Sequence, residues 1–158
     1  MGVSGAGKTT VGKLLAAQLP CAFADADDYH SPANVQKMSA GIPLTDADRA
    51  PWLEALRRLI ACWIAGGETA VLACSALKEK YREHLNLGGE VCFVYLKVSP
   101  AALRDRLRRR RGHFMTEAML DSQIADLEEP AHAIIVDGDP LPAVIVTEIL
   151  ARVRAGSI

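Results

Sequence analysis

At 158 residues, half of them hydrophobic and 23% charged, the chain is sized for one globular domain with a full core. A formal net charge of −1 gives no electrostatic footprint for nucleic acid or for an acidic partner. No apolar run approaches the roughly 18 residues of a membrane span, and no signal-peptide pattern or internal repeat stands out. Cys21, Cys62, Cys74 and Cys92 are scattered, with no C-x-x-C pair and three of them in apolar runs. They read as reduced core residues of a cytosolic protein, not as a disulfide framework or a zinc site.

In chain order, Val11, Leu14, Leu15 and Leu19 recur at helical spacing and predict a helix from Gly7 to Leu19, stopped by Pro20. Cys21 to Ala24 is a short apolar strand ending at Asp25. Ser31-Pro32 is an N-cap followed by proline at the first helical position, opening a helix toward Ala40-Gly41. Asp48 and Pro51 suit the start of the next helix, running to about Ala65 and ended by Gly66-Gly67. Thr69 to Cys74 is continuously apolar, as a parallel strand covered on both faces must be. A helix follows over Leu77 to Leu85, then a strand over Val91 to Val98. Ser99-Pro100 caps a helix running into an arginine cluster, and Glu117 to Leu127 is a further helix. Ala133 to Val136 is the last strand and Leu141 to Val153 the last helix. The alternation predicts an α/β fold with a parallel sheet, with no linker and no domain boundary across residues 1–158.

The first constellation is Gly2 to Thr9, G-V-S-G-A-G-K-T, a complete match to G-x-x-x-x-G-K-[ST]. Its glycines let consecutive N–H groups point at phosphate oxygens, and the helix opening near Gly7 adds its positive dipole end. Lys8 can reach the β- and γ-phosphates, and the Thr9 hydroxyl can ligate Mg²⁺.

The second is D-A-D-D-Y-H, Asp25 to His30, directly after a predicted strand. In a parallel sheet the strand C-termini share one ligand edge. Carboxylates there can hold a metal through water, orient an acceptor hydroxyl or accept its proton. A solvated acidic turn is the bland alternative.

The third is C-S-A-L-K, Cys74 to Lys78, which lacks the metal-organising aspartate many kinases carry after such a strand. Ser75 can cap the following helix. Lys78 and Arg82 form an i, i+4 basic pair that is either solvated surface or a grip on an anionic substrate. The fourth is R-D-R-L-R-R-R-R-G-H-F, Arg104 to Phe114, with six arginines in eight positions. A nucleic-acid reading is weak, because charge is balanced overall and no aromatics interleave. Beside a triphosphate site the segment reads better as a lid that clamps phosphates and excludes water, with several arginines merely solvated.

These motifs together resemble the gluconate kinase family of small P-loop kinases, relatives of shikimate kinase. The resemblance spans nearly the whole chain. It rests on G-V-S-G-A-G-K-T, on D-A-D-D-Y-H-S-P-A-N-V-Q-K-M, and on G-I-P-L-T-D-A-D-R-A-P-W-L from Gly41. C-S-A-L-K-E-K-Y-R, R-G-H-F-M (Arg111 to Met115) and Q-I-A-D-L-E-E-P (Gln123 to Pro130) complete it. It implies a three-layer P-loop NTPase fold with a small lid over about residues 111–125. It also implies ATP- and Mg²⁺-dependent phosphorylation of D-gluconate at its 6-hydroxyl. The implied ATP contacts are Gly2, Val3, Ser4, Gly5, Ala6, Gly7, Lys8, Thr9 and Thr10, with Arg110 from the lid and Arg106 stacking on adenine. Asp27 and His30 suit the polyol. Arg49, Lys78, Arg82 and His113 suit the carboxylate or the moving phosphoryl group, and Gln123 touches the sugar acid. The catalytic set is then Lys8, Asp25, Asp27 and Arg110, with Thr9 and Asp25 toward the metal. Asp25 is first choice for metal-water contact or acceptor activation, Asp27 is second, and the two roles stay unseparated. The resemblance suggests a homodimer, although no residue pattern specifies one. Trp52 and Trp63 read as core.

Competing readings are a P-loop kinase for shikimate, another sugar acid or a nucleotide, and a nucleotide-binding regulator without turnover. One feature departs from the family pattern: the usual central first strand is missing before Gly2. The expectation is that Met1 is not the native start and is itself the last apolar residue of that strand. An upstream stretch of roughly 5–10 apolar residues would then have been lost to a misassigned start or to trimming. A chain truly beginning at Met1 is expected to keep the loop's motif but to anchor it poorly.

Overall fold

The computed structural model describes residues 1–109 and 116–156, so the expectations for Arg110 and His113, and those for Arg111 to Met115, lie outside the described residues. Helix α1, Lys8–Gln18, opens directly off Gly7, whose φ of 95° is a left-handed conformation that side chains resist. Strand β1, Ala22–Asp25, runs into a single 3₁₀ turn, Ala26–Tyr29. Helix α2, Pro32–Ser39, is capped as predicted, with the Ser31 hydroxyl accepting from the Asn34 N–H.

Helix α3, Asp46–Ala65, starts earlier than Asp48 and Pro51 predict. A capping box decides its start: the Thr45 hydroxyl accepts from the Asp48 N–H at 3.2 Å, and the Asp48 carboxylate accepts from the Thr45 N–H at 2.9 Å. Pro51 therefore sits inside the helix near its start. The stripe Trp52, Leu53, Leu56 and Ile60 is buried, and each such side chain contributes about 1.5–3 kcal/mol.

Strand β2 is Ala70–Ala73 and helix α4 is Glu79–Leu85. Ser75 does not cap α4: the N-cap is Lys78 without a side-chain bond, and the Glu79 N–H instead donates to the Glu128 carboxylate at 2.5 Å. A long-range carboxylate thus replaces the local hydroxyl. Strand β3, Val94–Lys97, and helix α5, Pro100–Arg109, follow. Helix α6 is Glu117–Asp126, strand β4 is Ile134–Asp137 and helix α7 is Pro142–Arg154.

The strands form two parallel pairs. In one, Ala22 lies opposite Ala70 and Asp25 opposite Ala73; in the other, Val94 lies opposite Ile134 and Lys97 opposite Asp137. Met1 and Gly2 link the pairs at one end. The Met1 amine donates to the Val94 carbonyl, its own carbonyl accepts from the Leu96 N–H at 3.1 Å, and the Gly2 N–H donates to the Ser75 carbonyl at 3.1 Å. Strands β2 and β3 are thus second neighbours, roughly 10 Å apart by strand spacing, which is too far for a direct ladder.

One apolar cluster joins α1 and α7 to β3 and β4 through Val11, Ile145, Ile149, Leu96 and Val136. A second joins α3 and α4 through Leu56, Ile60, Tyr81 and Leu85, with Leu72, Phe93 and Met1 packed against it. The sheet pairs lie between these helical layers. Of the cysteines, only Cys74 is buried; Cys62 lies off the buried stripe of α3, and Cys62 and Cys92 are exposed. No described helix is long and apolar enough to cross a membrane.

Candidate active site

The loop Gly2 to Gly7 lies where Met1 leaves β3. At Gly2, φ is 135° and a Cβ would stand 3.1 Å from the Leu96 carbonyl oxygen, so backbone shape and close approach both demand glycine. Val3 and Ala6 are buried and root the loop in the core. The Lys8 ammonium folds over its own loop and donates to the Val3 carbonyl at 3.0 Å. The N-terminus of α1, with Thr9 and Thr10 in its first turn, faces the same edge.

The turn after β1 meets this loop. The Thr9 hydroxyl donates to the Asp25 carboxylate at 2.7 Å, and the other Asp25 oxygen accepts from the Asp27 N–H at 3.2 Å. A hydroxyl beside a carboxylate is the hard-oxygen pair that Mg²⁺ prefers, with phosphate and water completing its shell. Among the described residues no group of three His, Cys, Asp or Glu could hold a metal unaided. Ala26 is fully buried, and its carbonyl accepts from the Trp52 indole at 2.7 Å, which pins the acidic turn to α3.

A cleft of about 90 Å³ opens between the loop, this turn and helices α3 and α6. Ser4, Lys8, Asp27, His30, Arg49 and Gln123 line it, so six of the residues expected from sequence converge there. His30 stacks on Trp52 with ring centroids 4.6 Å apart. Burial lowers the His30 pKa, the Asp27 charge opposes the shift and the Arg49 charge adds to it. Arg49 donates to the Tyr81 hydroxyl at 3.2 Å and to Asp126 at 3.5 Å. Gln123 accepts from the Ser4 N–H at 2.7 Å, so it braces the phosphate loop as well as lining the cleft.

Other expected residues are placed elsewhere. Lys78 stands at the cleft's outer side, 3.3 Å from Asp126 and 3.4 Å from Asp46. Asp46 also accepts from Lys80 and Tyr81, and these bonds, Lys80's first, hold its carboxyl well below the usual range. Arg82 is buried beneath the loop after β2, donating to the Ala76 and Leu77 carbonyls at 2.9 Å each and to Glu79. This geometry gives it a bracing position rather than the expected place in an anion grip, because two buried carbonyls there need a donor. Arg106 reaches the Gly5 carbonyl at 3.4 Å, the Gly138 carbonyl at 2.8 Å and Asp139 at 3.1 Å, spanning the phosphate loop and the end of β4.

Sequence reasoning missed Tyr81, Asp126 and Trp52 as lining residues. Tyr81 and Asp126 stand inside the quoted runs C-S-A-L-K-E-K-Y-R and Q-I-A-D-L-E-E-P, but their own residue types carried no separate signal. A glycine-rich loop opening a helix at the strand-end edge, with Lys8 and a Thr9–Asp25 pair beside a cleft lined by Asp27, His30 and Arg49, defines a P-loop phosphotransferase.

Comparison with known proteins narrows the class. The shikimate kinase family model matches residues 4–154. A gluconokinase of Gluconobacter oxydans (strain 621H) is 48% identical over 160 residues, covering 98% of this chain and 89% of its own. A crystal structure of a gluconokinase from Sinorhizobium meliloti 1021 superposes with a TM-score of 0.89 at 41% identity, over 99% of this chain and 90% of its own. An unliganded sugar kinase from Janibacter sp. HTCC2649 gives a TM-score of 0.90 at 39% identity, over 98% of this chain and 91% of its own. The chain belongs to the shikimate kinase family of P-loop kinases and, within it, to the gluconokinases.

Proposed function

We propose that the protein transfers the γ-phosphoryl group of ATP to the 6-hydroxyl of D-gluconate, giving 6-phospho-D-gluconate and ADP. The carrying observation is the cleft that gathers Lys8 with Asp27, His30 and Arg49 beside the phosphate loop, in a chain of the gluconokinase family. Phosphoryl transfer asks mainly for alignment and for stabilisation of charge on the equatorial oxygens. Lys8 supplies charge at the β- and γ-phosphates once its ammonium leaves the Val3 carbonyl. Thr9 and Asp25 are the residues that would hold Mg²⁺, which supplies charge neutralisation on the phosphates when bound.

The geometry supports a division between the two aspartates. Asp25 is tied to Thr9 on the nucleotide side. Asp27 faces the cleft, where it can orient the acceptor hydroxyl and take its proton. His30 and Arg49 offer a hydrogen-bonding partner for the polyol and a cation for the carboxylate, with Lys78 and Gln123 at the margins. Arg110 and His113 are assigned by family resemblance to closing over the phosphates, and Arg106 to the adenine side. Closure driven by acceptor contacts disfavours transfer to water, which lacks them. The four free thiols suit a reducing compartment, which supports a cytoplasmic location.

A coupled assay of ADP release over gluconate, its epimers, other sugar acids and shikimate tests the reading. Gluconate is expected to show a kcat/KM at least ~10-fold above every other acceptor. Equal use of shikimate or of a gluconate epimer would replace the substrate.

A further inference from the structure

Helix α6 turns one stripe toward the cleft. Met119, Ser122, Gln123 and Asp126 all line it, at the spacing of a single helical face. Met119 is a buried apolar wall, and Gln123 holds the Ser4 N–H. Asp126 has no part in the transfer chemistry, and its position is electrostatically unfavourable. It is the last residue of α6, where the carbonyl end of the helix dipole repels a carboxylate.

Two cations from other elements hold it there. One Asp126 oxygen lies 3.3 Å from the Lys78 ammonium, and the other accepts from the Arg49 guanidinium at 3.5 Å. Both contacts are long beside the ~2.7–2.9 Å of a tight charge-assisted bond, and beside the 2.7 Å between Lys37 and Asp48. Asp126 is therefore a loosely seated counterion. Arg49 and Lys78 need one, because their side chains are only 16% and 21% exposed and a sheltered cation without a partner is costly. Asp46 serves them less directly. It stands 3.7 Å from Arg49 and 3.4 Å from Lys78, and it is shared with Lys80 and Tyr81. Of these two carboxylates only Asp126 lines the cleft.

We propose that Asp126 is a built-in stand-in for the acceptor's carboxylate. It neutralises Arg49 and Lys78 in the empty cleft, yields them to an incoming sugar acid, and so sets the affinity for anionic acceptors. The inference rests on the sugar-acid reading of the cleft. The acceptor and Asp126 present the same group to the same two cations, and two carboxylates cannot share that position without repulsion. Exchange needs only a side-chain rotation. Gln123, one turn earlier, keeps α6 fastened to the phosphate loop, while the Asp126 side chain is 30% exposed and has water to turn into. A neutral polyol brings no rival charge and leaves Asp126 in place.

The experiment measures Kd by titration calorimetry for gluconate and for its uncharged amide, D-gluconamide. The wild-type chain is compared with Asp126→Asn and Asp126→Glu, with circular dichroism melts alongside. Asparagine keeps the shape and removes the competing charge. Gluconate is expected to bind Asp126→Asn ~5–10-fold more tightly than wild type, with gluconamide within about 2-fold. Asp126→Glu keeps the charge and should hold gluconate within about 3-fold of wild type. Asp126→Ser is a second neutral replacement, so the comparison does not depend on one variant folding. Weaker binding of both ligands to the neutral variants would make Asp126 a direct hydroxyl partner. Unchanged binding of both, with a lowered Tm, would make it a purely structural ion pair. Either result overturns the proposal. The ratio of variant to wild type can be read on any sugar acid, so replacing gluconate by another acid leaves the inference intact. A wild-type chain that binds no acidic acceptor overturns both readings.

Discussion

Trp52→Phe is the substitution that isolates how the acidic turn is held. Trp52 is 5% exposed, and its indole N–H donates at 2.7 Å to the carbonyl of the fully buried Ala26. Phenylalanine keeps a ring for His30 to stack on but leaves that carbonyl without its donor. A buried acceptor stripped of its partner costs about 1–3 kcal/mol, and the void left by the smaller ring adds about 1 kcal/mol. The sum, about 2–4 kcal/mol, corresponds to a fall in Tm of ~5–15 °C for a chain of this size. Because Asp25 and Asp27 flank Ala26, the loosened turn is also expected to act on substrate. Asp25 keeps its bond to Thr9, whereas the Asp27 carboxylate makes no hydrogen bond among the described residues, so KM for gluconate should rise more than KM for ATP. Circular dichroism melts and a coupled kinase assay measure both effects. A Tm within about 1 °C of the parent, together with unchanged KM values, would refute the claim that the indole positions the turn.

Lys8→Ala is expected to lower kcat by ~10³-fold or more with the fold retained, since it removes a cation at the transferring group; an undiminished rate would sink the mechanism. Asp27→Asn should weaken gluconate use more than ATP binding, as read by separate titrations, and equal loss of both would count against its place on the acceptor side. Arg82→Met should destabilise the chain by about 2–4 kcal/mol with little change in gluconate KM, and a KM rise without loss of Tm would return Arg82 to the substrate grip. The His30 pKa is lowered in the folded chain, so the unfolded chain takes up the proton first and stability falls as pH drops below 6.5. Urea melts should show that fall below pH 6.5, and a flat profile there would show His30 to be solvated.

Much of the architecture was legible because its signals are local. Gly2 to Thr9 carries its conformational demands in its own residue types, and Ser31-Pro32 caps α2 through a bond three residues away. The convergence of Lys8, Asp27, His30, Arg49 and Gln123 on one cleft was also foreseeable, since parallel strands deliver their following loops to a common edge. Ser75 and Pro51 misled because a cap or a helix start read from one residue ignores competitors. Glu128 lies far along the chain, yet it accepts from the first N–H of α4, a helix that starts at Glu79 and not at Leu77.

By itself, then, the sequence determined the order of the elements, the phosphate loop and the class of chemistry. These depend on side-chain periodicity, glycine placement and short motifs whose physics is complete within a few residues. Only the tertiary structure decided what each polar side chain does within that plan. It put Arg82 under two carbonyls, set Trp52 to pin the turn beside the cleft, tied Asp25 to Thr9 while Asp27 lined the cleft, and bonded Met1 to β3. The physical reason is that a long polar side chain has several partners within reach. Which one it takes depends on which buried donor or acceptor packing would otherwise leave unsatisfied.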